Sequence, residues 1–289
     1  MFFFTSMYTE KKIGIFVNGL AGKSKALKVL ESIATFLKEK NILHAVYINA
    51  WPKIYDDISE AWIVGGDGTL NYFINYFPDI KIPLVLFKGG TGNDFAWKLY
   101  GDISLAEQLE LVLKAEAKPV DAARCNDALF INGVGIGFDG EVLESINTIR
   151  LFGGHLGYLM IVLKKIFTFK EYFFKIKSDV FSGSDKYLLL MISNSSRTGG
   201  GFHVSPLASI TDGLLNLITC EKLSIIKRLR YLPVIEKGKH LQLPFIKHVT
   251  GKSFVIECEQ ELPAQLDGEL IRAKTFNIEI QAGLFLFKY

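Results

Sequence analysis

The stretch Gly65-Gly66-Asp67-Gly68-Thr69 lies between a short apolar run, Ala61 to Val64, and a helical pattern of apolar residues that begins at Leu70. This order predicts a buried strand that turns directly into a helix. Three glycines in four positions permit positive φ and leave backbone N–H groups open to a ligand. With the helix N-terminus behind them, these donors predict a site for an anion such as a phosphate group.

The carboxylate of Asp67 stands in the middle of this predicted anion site and would repel a bare phosphate. A cation between the two, as Mg²⁺ is on a nucleoside triphosphate, removes that conflict. The Thr69 hydroxyl can cap the helix or donate to a phosphate oxygen. The alternative is a tight strand-to-helix turn with Asp67 as its cap. Because one glycine would suffice for such a turn, we favour the phosphate site.

Two further glycine-containing corners follow predicted strands. Ile13 to Val17 leads into Asn18 to Lys25, and Ile82 to Phe87 leads into Lys88 to Ala96. With the strand before Gly65 and another at Leu43 to Ile48, they alternate with helical patterns up to about residue 115, which predicts a parallel sheet covered by helices. Ligands bind at the carboxyl ends of such strands, so the three corners should converge on one edge.

The first corner nearly matches the P-loop pattern GxxxxGK[ST], but Val17 stands where that pattern begins with glycine. The wide phosphate cradle of a P-loop therefore cannot form. We interpret this corner as a different phosphate loop, in which Lys23 or Lys25 is the candidate charge. A turn with solvated lysines explains the stretch equally well.

After Pro119 the pattern changes to short strand-like runs separated by turn signals, which is typical of an antiparallel sandwich or barrel. Helical patterns interrupt it at about 141–149, 156–169 and 224–236. We therefore predict an α/β domain with a parallel sheet at residues 1–118 and a mainly antiparallel β-sandwich domain at residues 119–289. Whether the last strand returns to the first domain is left open. The predicted strands of the second domain are Ala128–Val134, Tyr172–Phe181, Tyr187–Ser193, Leu214–Cys220, Phe254–Cys258, Phe276–Ile280 and Leu284–Phe287.

Composition excludes several classes of protein. A formal net charge of +3 over 289 residues is too mild for a nucleic-acid-binding stripe. No window reaches the roughly 20 apolar residues of a membrane span, so we expect a cytoplasmic protein with at most surface contact with a membrane. The three cysteines lack CxxC spacing and should be reduced, and the five histidines form no metal-spaced pair.

Three motifs of the second half carry polar residues. Gly135 to Gly140 matches GxGxxG, but no acidic residue closes a second strand, so we favour a backbone turn with Asp139 towards the cleft. We interpret the polar stretch Ser205 to Gly213, which precedes a strand, as a hairpin turn. In Leu266-Asp267-Gly268-Glu269 two carboxylates flank one glycine. This pattern fits either a hairpin turn or a general base near a cation-bound phosphate.

Together these motifs resemble those of the bacterial diacylglycerol kinase-like lipid kinases, in the superfamily that also holds NAD kinases, sphingosine kinases and 6-phosphofructokinases. The resemblance covers nearly the whole chain in the same order. Its most specific parts are Gly65 to Thr69 (family GGDGT), Gly90 to Asp94 (family GTxND) and Leu266 to Glu269 (family LDGE), supported by Asn132 to Asp139 and Pro206 to Gly213.

The resemblance implies an α/β nucleotide-binding domain, a β-sandwich domain and an active site in the cleft between them. It implies transfer of the γ-phosphoryl group of ATP, with Mg²⁺, to a lipid hydroxyl, with diacylglycerol or a related lipid as the first candidate. Asp267 would take the hydroxyl proton, Glu269 would join its polar network and Asp67 would support Mg²⁺-ATP. Asp212 would belong to a second, structural Mg²⁺ site. The implied nucleotide contacts are Asn18, Lys23, Gly65, Gly66, Asp67, Gly68, Thr69, Gly90, Thr91, Asn93 and Asp94.

Two departures from the family pattern concern the nucleotide side. Asn18-Gly19 replaces Asn-Pro, which loosens the first corner and weakens the assignment of Lys23. Asn71-Tyr72 replaces Asn-Glu, so a carboxylate is lost near the start of the helix and contacts with metal or nucleotide change.

A lipid acceptor requires contact with a membrane, and Leu151 to Lys177 mixes apolar, aromatic and lysine residues in a way that suits an anionic surface. A core helix with lysines that extend to solvent fits equally well. Two alternative functions remain: a kinase of a soluble acceptor, as in the NAD kinase branch, and a non-catalytic module that binds nucleotide or lipid. The identity of the lipid, a peripheral position on the inner face of the membrane and a homodimer are left open.

Overall fold

The computed structural model describes residues 11–148 and 155–289. In the first part of the chain, strands and helices interleave. The strands are β1 (Lys12–Val17), β2 (His44–Ile48), β3 (Ile58–Gly65) and β4 (Leu84–Lys88). A short 3₁₀ turn, Ala21–Ser24, precedes the helices, which are α1 (Lys25–Glu39), α2 (Asp67–Tyr76), α3 (Asp94–Tyr100) and α4 (Leu105–Lys114).

The sheet of this part is parallel, as predicted. β1 pairs with β2 and β3, and β3 pairs with β4, all in parallel. In these registers Val17 lies opposite Val64, and Gly65 lies opposite Lys88. The three glycine-containing corners therefore start at one edge of the sheet, which confirms their predicted convergence.

The central strands of this sheet are buried on both faces. Ile15, Phe16 and Val17 of β1 and Trp62, Ile63 and Val64 of β3 are all fully buried. A parallel sheet covered by helices on both sides requires such continuous apolar runs rather than alternation. The amphipathic helix α1 contributes Ala26, Ile33 and Leu37 to the same core.

The second part of the chain is dominated by antiparallel pairing. β12 pairs with β7, β8 and β13, and β9 pairs with β7, β8 and β10. Its strands are β5 (Ala117–Cys125), β6 (Ala128–Phe130), β7 (Gly133–Ile136), β8 (Tyr172–Lys177), β9 (Ser182–Ser193), β10 (Leu215–Glu221), β11 (Ile246–Gly251), β12 (Ser253–Leu266) and β13 (Glu269–Lys288). Its helices are α5 (Phe138–Thr148), α6 (His155–Thr168) and α7 (Ile225–Glu236).

The last strand, β13, joins the two parts. It pairs with β12 along its first half, and near its end Phe287 lies parallel to Leu84 of β4. Phe285 and Phe287 are consequently fully buried in the core of the first part. The predicted domain boundary between residues 118 and 119 lies inside β5, which pairs with β13.

Several strands differ from the predicted ones. The predicted strand Ala128–Val134 is divided into β6 and β7, because the N–H groups of Ile131 and Asn132 donate to the Asp267 carboxylate instead of a ladder partner. The predicted runs Phe276–Ile280 and Leu284–Phe287 are one strand with a register shift at Gly283, which has φ of 60°. The strands β5 and β11 were missed; β5 contains alanines and Pro119, which have low strand propensity.

The Gly135 to Gly140 stretch is a backbone turn, as the sequence analysis favoured. It ends β7 and begins α5, with Gly137 at φ of 83°. A Cβ at Gly140 would lie 2.1 Å from the carbonyl oxygen of Pro263. Glycine at this position therefore lets α5 lie directly on β12. The three cysteines, Cys125, Cys220 and Cys258, are buried and free.

Candidate active site

A cavity of about 840 Å³ opens at the edge of the sheet where the three corners meet. The Leu266 to Glu269 turn, between β12 and β13, closes its other side. Elements from both parts of the chain therefore contribute to one cleft. The predicted residues that line it are Asn18, Gly66, Asp67, Gly68, Thr69, Gly90, Thr91, Asp94, Asp267 and Glu269.

Asp67 links the second corner to the third. Its Oδ2 accepts a hydrogen bond from the backbone N–H of Asp94 at 3.0 Å, and its Oδ1 accepts one from Phe95 at 3.0 Å. Asp67 is therefore an N-terminal cap, but of α3 rather than of its own helix α2. Asn132 approaches the same carboxylate from the other side of the cleft, with Nδ2 3.5 Å from Oδ1.

The glycines of these corners serve close approach rather than positive φ, which corrects the sequence analysis. None of Gly65, Gly66 and Gly68 has a positive φ. A Cβ on Gly66 would lie 2.6 Å from the carbonyl oxygen of Gly92, and one on Gly90 would lie 2.4 Å from Cα of Gly66. The two corners touch backbone to backbone, a contact that only glycine permits.

The first corner contributes through its backbone and Asn18. Asn18 donates from Nδ2 to Oγ1 of Thr69 at 3.3 Å, which ties the corner to α2. Gly22, Lys23 and Ser24 have consecutive positive φ values of 57°, 55° and 71°. The side chain of Lys23 is exposed and is not among the residues that line the cavity. The replacement of Asn-Pro by Asn18-Gly19 had already weakened the assignment of Lys23 as a nucleotide contact, and the exposed position of Lys23 agrees with that.

Asp267 is the most completely hydrogen-bonded carboxylate of the cleft. Its Oδ1 accepts from the backbone N–H of Asn132 at 2.9 Å and of Gly133 at 3.0 Å. Its Oδ2 accepts from Ile131 N–H at 2.7 Å and from Asn71 Nδ2 at 3.3 Å. Burial raises the pKa of Asp267 to about 6, although these donors act in the opposite direction. Four donors therefore surround this carboxylate.

Glu269 lies two residues further along the same turn in a different environment. Its side chain is exposed and lines the cavity. A Cβ on Gly68 would lie 3.6 Å from its Oε1, so the carboxylate stands across the cleft from the second corner. This carboxylate is exposed, whereas that of Asp267 is buried and accepts four hydrogen bonds.

The Asn71-Tyr72 pair, where the sequence departs from the family pattern, faces two ways. Asn71 is buried and donates to Asp267 and, at 3.1 Å, to the carbonyl oxygen of Leu129. Tyr72 is 59% exposed, and its ring lies 5.1 Å from that of Trp51. Both rings line the cavity, which therefore has an aromatic wall where the family pattern has a carboxylate.

Asp94 has partners that sequence reasoning missed. Its Oδ1 forms an ion pair with Nε of Arg197 at 2.9 Å, and its Oδ2 accepts from Gly200 N–H at 2.7 Å. The Arg197 guanidinium lies 4.6 Å above the ring of Trp97. Burial and then the charge of Asp67 raise the pKa of Asp94 to about 6, against the effects of Gly200 and Arg197. In the sequence, the run Gly199-Gly200-Gly201 could have indicated that this loop approaches the site.

Asp212, the predicted ligand of a second Mg²⁺, lies apart from the cavity lining. It is exposed, and its Oδ1 accepts from Leu214 N–H at 3.1 Å. In the described parts of the chain no three acidic, histidine or cysteine residues group as metal ligands. A Mg²⁺ at Asp212 would draw its remaining ligands from backbone carbonyls and water. This role stays a prediction.

Comparison with known proteins agrees with this architecture. Residues 12–125 match the model described as the diacylglycerol kinase catalytic domain, and residues 132–285 match the YegS C-terminal NAD kinase beta sandwich-like domain. A curated Klebsiella pneumoniae protein named "Probable lipid kinase YegS-like" is 30% identical over 75% of this chain and 73% of its own length. The Staphylococcus carnosus protein named "Diacylglycerol kinase" is 24% identical over 90% of this chain and 89% of its own.

Solved structures show the same fold. One of a diacylglycerol kinase from Bacillus anthracis superposes with a TM-score of 0.70 and 25% identity, over 96% of this chain and 97% of that one. Yeast NADH kinase shares the fold alone, with a TM-score of 0.54 and 11% identity over 94% of this chain and 79% of its own. The two matched models cover most of the chain in the order of the two parts described above, and the chain belongs to the family of YegS-like lipid kinases.

Proposed function

We propose that this protein transfers the γ-phosphoryl group of ATP to a hydroxyl group of a lipid in the cleft between its two parts. One observation carries this proposal: three strand-to-helix corners and the Asp267–Glu269 turn line a single cavity. Phosphoryl transfer depends mainly on positioning and on neutralising charge, which suits backbone donors and a few fixed side chains. The names of the relatives, lipid kinase and diacylglycerol kinase, indicate the acceptor class.

We place the phosphates of ATP at the glycine-containing corners, where the helices α2 and α3 begin. Gly66, Gly68 and Gly90 leave no side chain between the backbone and a ligand there. The aromatic wall of Trp51 and Tyr72 is suited to stack on the adenine base. Thr69, fixed by Asn18, is within the same lining.

Mg²⁺ fits this site in the manner usual for nucleotides, with few protein ligands and several phosphate oxygens. Asp67 is the acidic residue between the two corners, and both its oxygens are already held by backbone donors. When bound, Mg²⁺ neutralises charge on the phosphate oxygens. Asp67 keeps the two corners together, and its negative charge would help to hold the metal.

We assign the proton acceptor to the Asp267–Glu269 pair and favour Glu269 within it. The resemblance implied Asp267, but its buried oxygens already accept four hydrogen bonds. A general base needs an open oxygen within reach of the proton that it accepts. Glu269 offers one in the cleft, and Asp267 holds the turn that presents it.

The lipid would approach along α6 and α7. No helix within residues 11–148 and 155–289 is long and apolar enough to cross a membrane. The predicted contact Leu151 to Lys177 lies partly outside the described residues; within them, α6 buries Ile161, Val162 and Ile166 and exposes Met160 and Phe167. Neighbouring α7 exposes Ile226 beside Lys227 and Arg230. Apolar side chains beside cations suit an anionic bilayer, so we propose a cytoplasmic protein peripheral to the membrane.

Transfer of label from [γ-³²P]ATP, with Mg²⁺, to a total lipid extract in mixed micelles tests this function. The native protein should produce a labelled lipid, and Glu269→Gln should reduce the product about 100-fold. Asp79→Asn, an exposed acidic residue outside the cleft, is the matched control. If NAD becomes labelled and no lipid does, the protein is a kinase of a soluble acceptor. If neither NAD nor lipid becomes labelled, the protein is a module that binds nucleotide or lipid without catalysis.

A further inference from the structure

Asp139, at the start of α5, differs from the other aspartates that line the cleft. Asp67, Asp94 and Asp267 each accept at least two hydrogen bonds or ion pairs. The Oδ2 of Asp139 is buried without any partner, and in residues 11–148 and 155–289 no hydrogen bond or ion pair reaches this carboxylate. Burial raises its pKa to about 6.

The backbone makes room for this carboxylate. A Cβ on Gly135 would lie 2.2 Å from Oδ2 of Asp139, so any larger residue there would displace it. A buried polar group without a partner is unfavourable and is rare in folded proteins. A group that the fold accommodates but does not satisfy is suited to receive a hydrogen bond from a ligand.

Asp139 also stands at the junction of two cavities. It lines the 840 Å³ cleft together with Asp267 and Glu269. It lines a second, narrow cavity of about 90 Å³ as well, and Thr198 and Gly199 are common to both. The two cavities therefore adjoin each other at Asp139.

The second cavity is apolar and lies under α6 and α7. Among the described residues that line it, the one cation is Arg228, which already forms an ion pair with Glu171 at 2.6 Å and donates to the carbonyl oxygens of Ile166 and Phe169. The remaining lining is suited to an alkyl chain; it includes Phe138, Val162, Leu189, Phe202, Tyr231 and Leu232.

We propose that Asp139 accepts a hydrogen bond from a second donor on the head of the acceptor lipid, a hydroxyl or an ammonium group, while the part of an alkyl chain nearest the head enters the second cavity. This inference rests on the proposed function and narrows its substrate class. The preferred acceptor carries a donor beside the hydroxyl that is phosphorylated. An acceptor with one hydroxyl alone leaves Asp139 unsatisfied.

Competing acceptors in mixed micelles test this specificity. We would measure kcat/KM for 1-oleoylglycerol, which has two hydroxyls, for sphinganine, which adds an ammonium group, and for 1,2-dioleoylglycerol, which has one hydroxyl. The native protein should prefer 1-oleoylglycerol, sphinganine or both to 1,2-dioleoylglycerol, because each carries at least one donor beside the hydroxyl that is phosphorylated. Asp139→Asn should reduce that preference about tenfold, mainly through KM, and Asp139→Leu about 100-fold. The sphinganine and monoacylglycerol arms show whether the donor is an ammonium or a hydroxyl group.

The matched control is Asp185→Asn, an exposed aspartate on β9 outside both cavities, which should keep the native preference. A preference that Asp139→Asn leaves unchanged overturns the inference but not the lipid kinase. If the native protein labels no lipid at all, the proposed function fails, and calorimetric binding of 1-decanoylglycerol then decides about Asp139. Binding about tenfold weaker in Asp139→Asn supports its role, and equal affinity overturns it.

Discussion

Oδ2 of Asp67 accepts a hydrogen bond from the backbone N–H of Asp94 at 3.0 Å, across 27 residues of sequence. With the second bond from Phe95, this carboxylate fastens the β3–α2 corner to the start of α3. The corners also touch at Gly66 and Gly90. Two hydrogen bonds and a backbone-to-backbone contact thus join the second and third corners of the cleft.

Replacing Asp67 with Asn should affect both stability and activity. The amide can accept from one backbone N–H, but its NH₂ group would face the other donor. We expect the free energy of unfolding to fall by about 1–3 kcal/mol and kcat/KM to fall at least about 100-fold. Urea denaturation and lipid phosphorylation measure these effects, and Asp79→Asn should change neither. A fully active Asp67→Asn protein would contradict the proposed arrangement.

Asp267→Asn and Glu269→Gln should separate structural from catalytic roles. Asp267→Asn turns an NH₂ group towards buried donors, so it should lower the free energy of unfolding by about 2 kcal/mol or more and also reduce activity. Glu269→Gln should change stability by less than about 0.5 kcal/mol because the side chain is exposed, yet lower kcat about 100-fold. Native kcat in Glu269→Gln would return the role of base to Asp267.

The Arg197–Asp94 ion pair should be worth more than a surface pair because Asp94 is buried. Arg197→Met leaves that carboxylate without its cation and should lower the free energy of unfolding by about 2–3 kcal/mol. The double variant with Asp94→Asn should recover part of this loss. A double-mutant cycle by urea denaturation measures the coupling, for which we expect about 1 kcal/mol or more. Strictly additive effects would show that the pair contributes little.

Protonation of Asp139 should make the free energy of unfolding depend on pH. Its pKa is about 6 in the folded protein against an ordinary value of 3.8, so the folded state holds its proton more tightly. The stabilisation is therefore complete below about pH 4 and is lost as the pH rises through 6. Asp139→Asn should then be more stable than the native protein at pH 7.5 by about 1–2 kcal/mol and show no gain near pH 4. Urea denaturation at the two pH values measures this; equal gains at both would contradict it.

Membrane contact through α7 predicts an effect of Ile226→Glu. This side chain is 79% exposed, and its insertion into a bilayer would contribute about 1–2 kcal/mol. Co-sedimentation with vesicles of phosphatidylglycerol should fall about tenfold in the variant. Ile54→Glu, at a residue 72% exposed in the first part of the chain, is the control and should bind normally. Equal binding by all three proteins would place the contact elsewhere.

The sequence by itself determined most of the order of strands and helices and the position of the corners. Apolar runs followed by glycine corners fixed the parallel strands β1, β3 and β4, and short alternating runs indicated the antiparallel part. These signals are local, because strand and helix periods and the conformational freedom of glycine act within a few residues. The parallel sheet then required the corners to share one edge.

The tertiary structure alone decided what each polar side chain contacts. Asp67 caps the helix of another corner, and Asp267 accepts the N–H of Ile131 across 136 residues. Arg197 forms an ion pair with Asp94, and Oδ2 of Asp139 has no partner where the two cavities adjoin. Such pairings depend on which distant segments the folded chain brings together. The sequence pattern therefore indicated which carboxylates to consider, and only the packing of the two parts distinguished the buried, hydrogen-bonded Asp267 from the exposed Glu269.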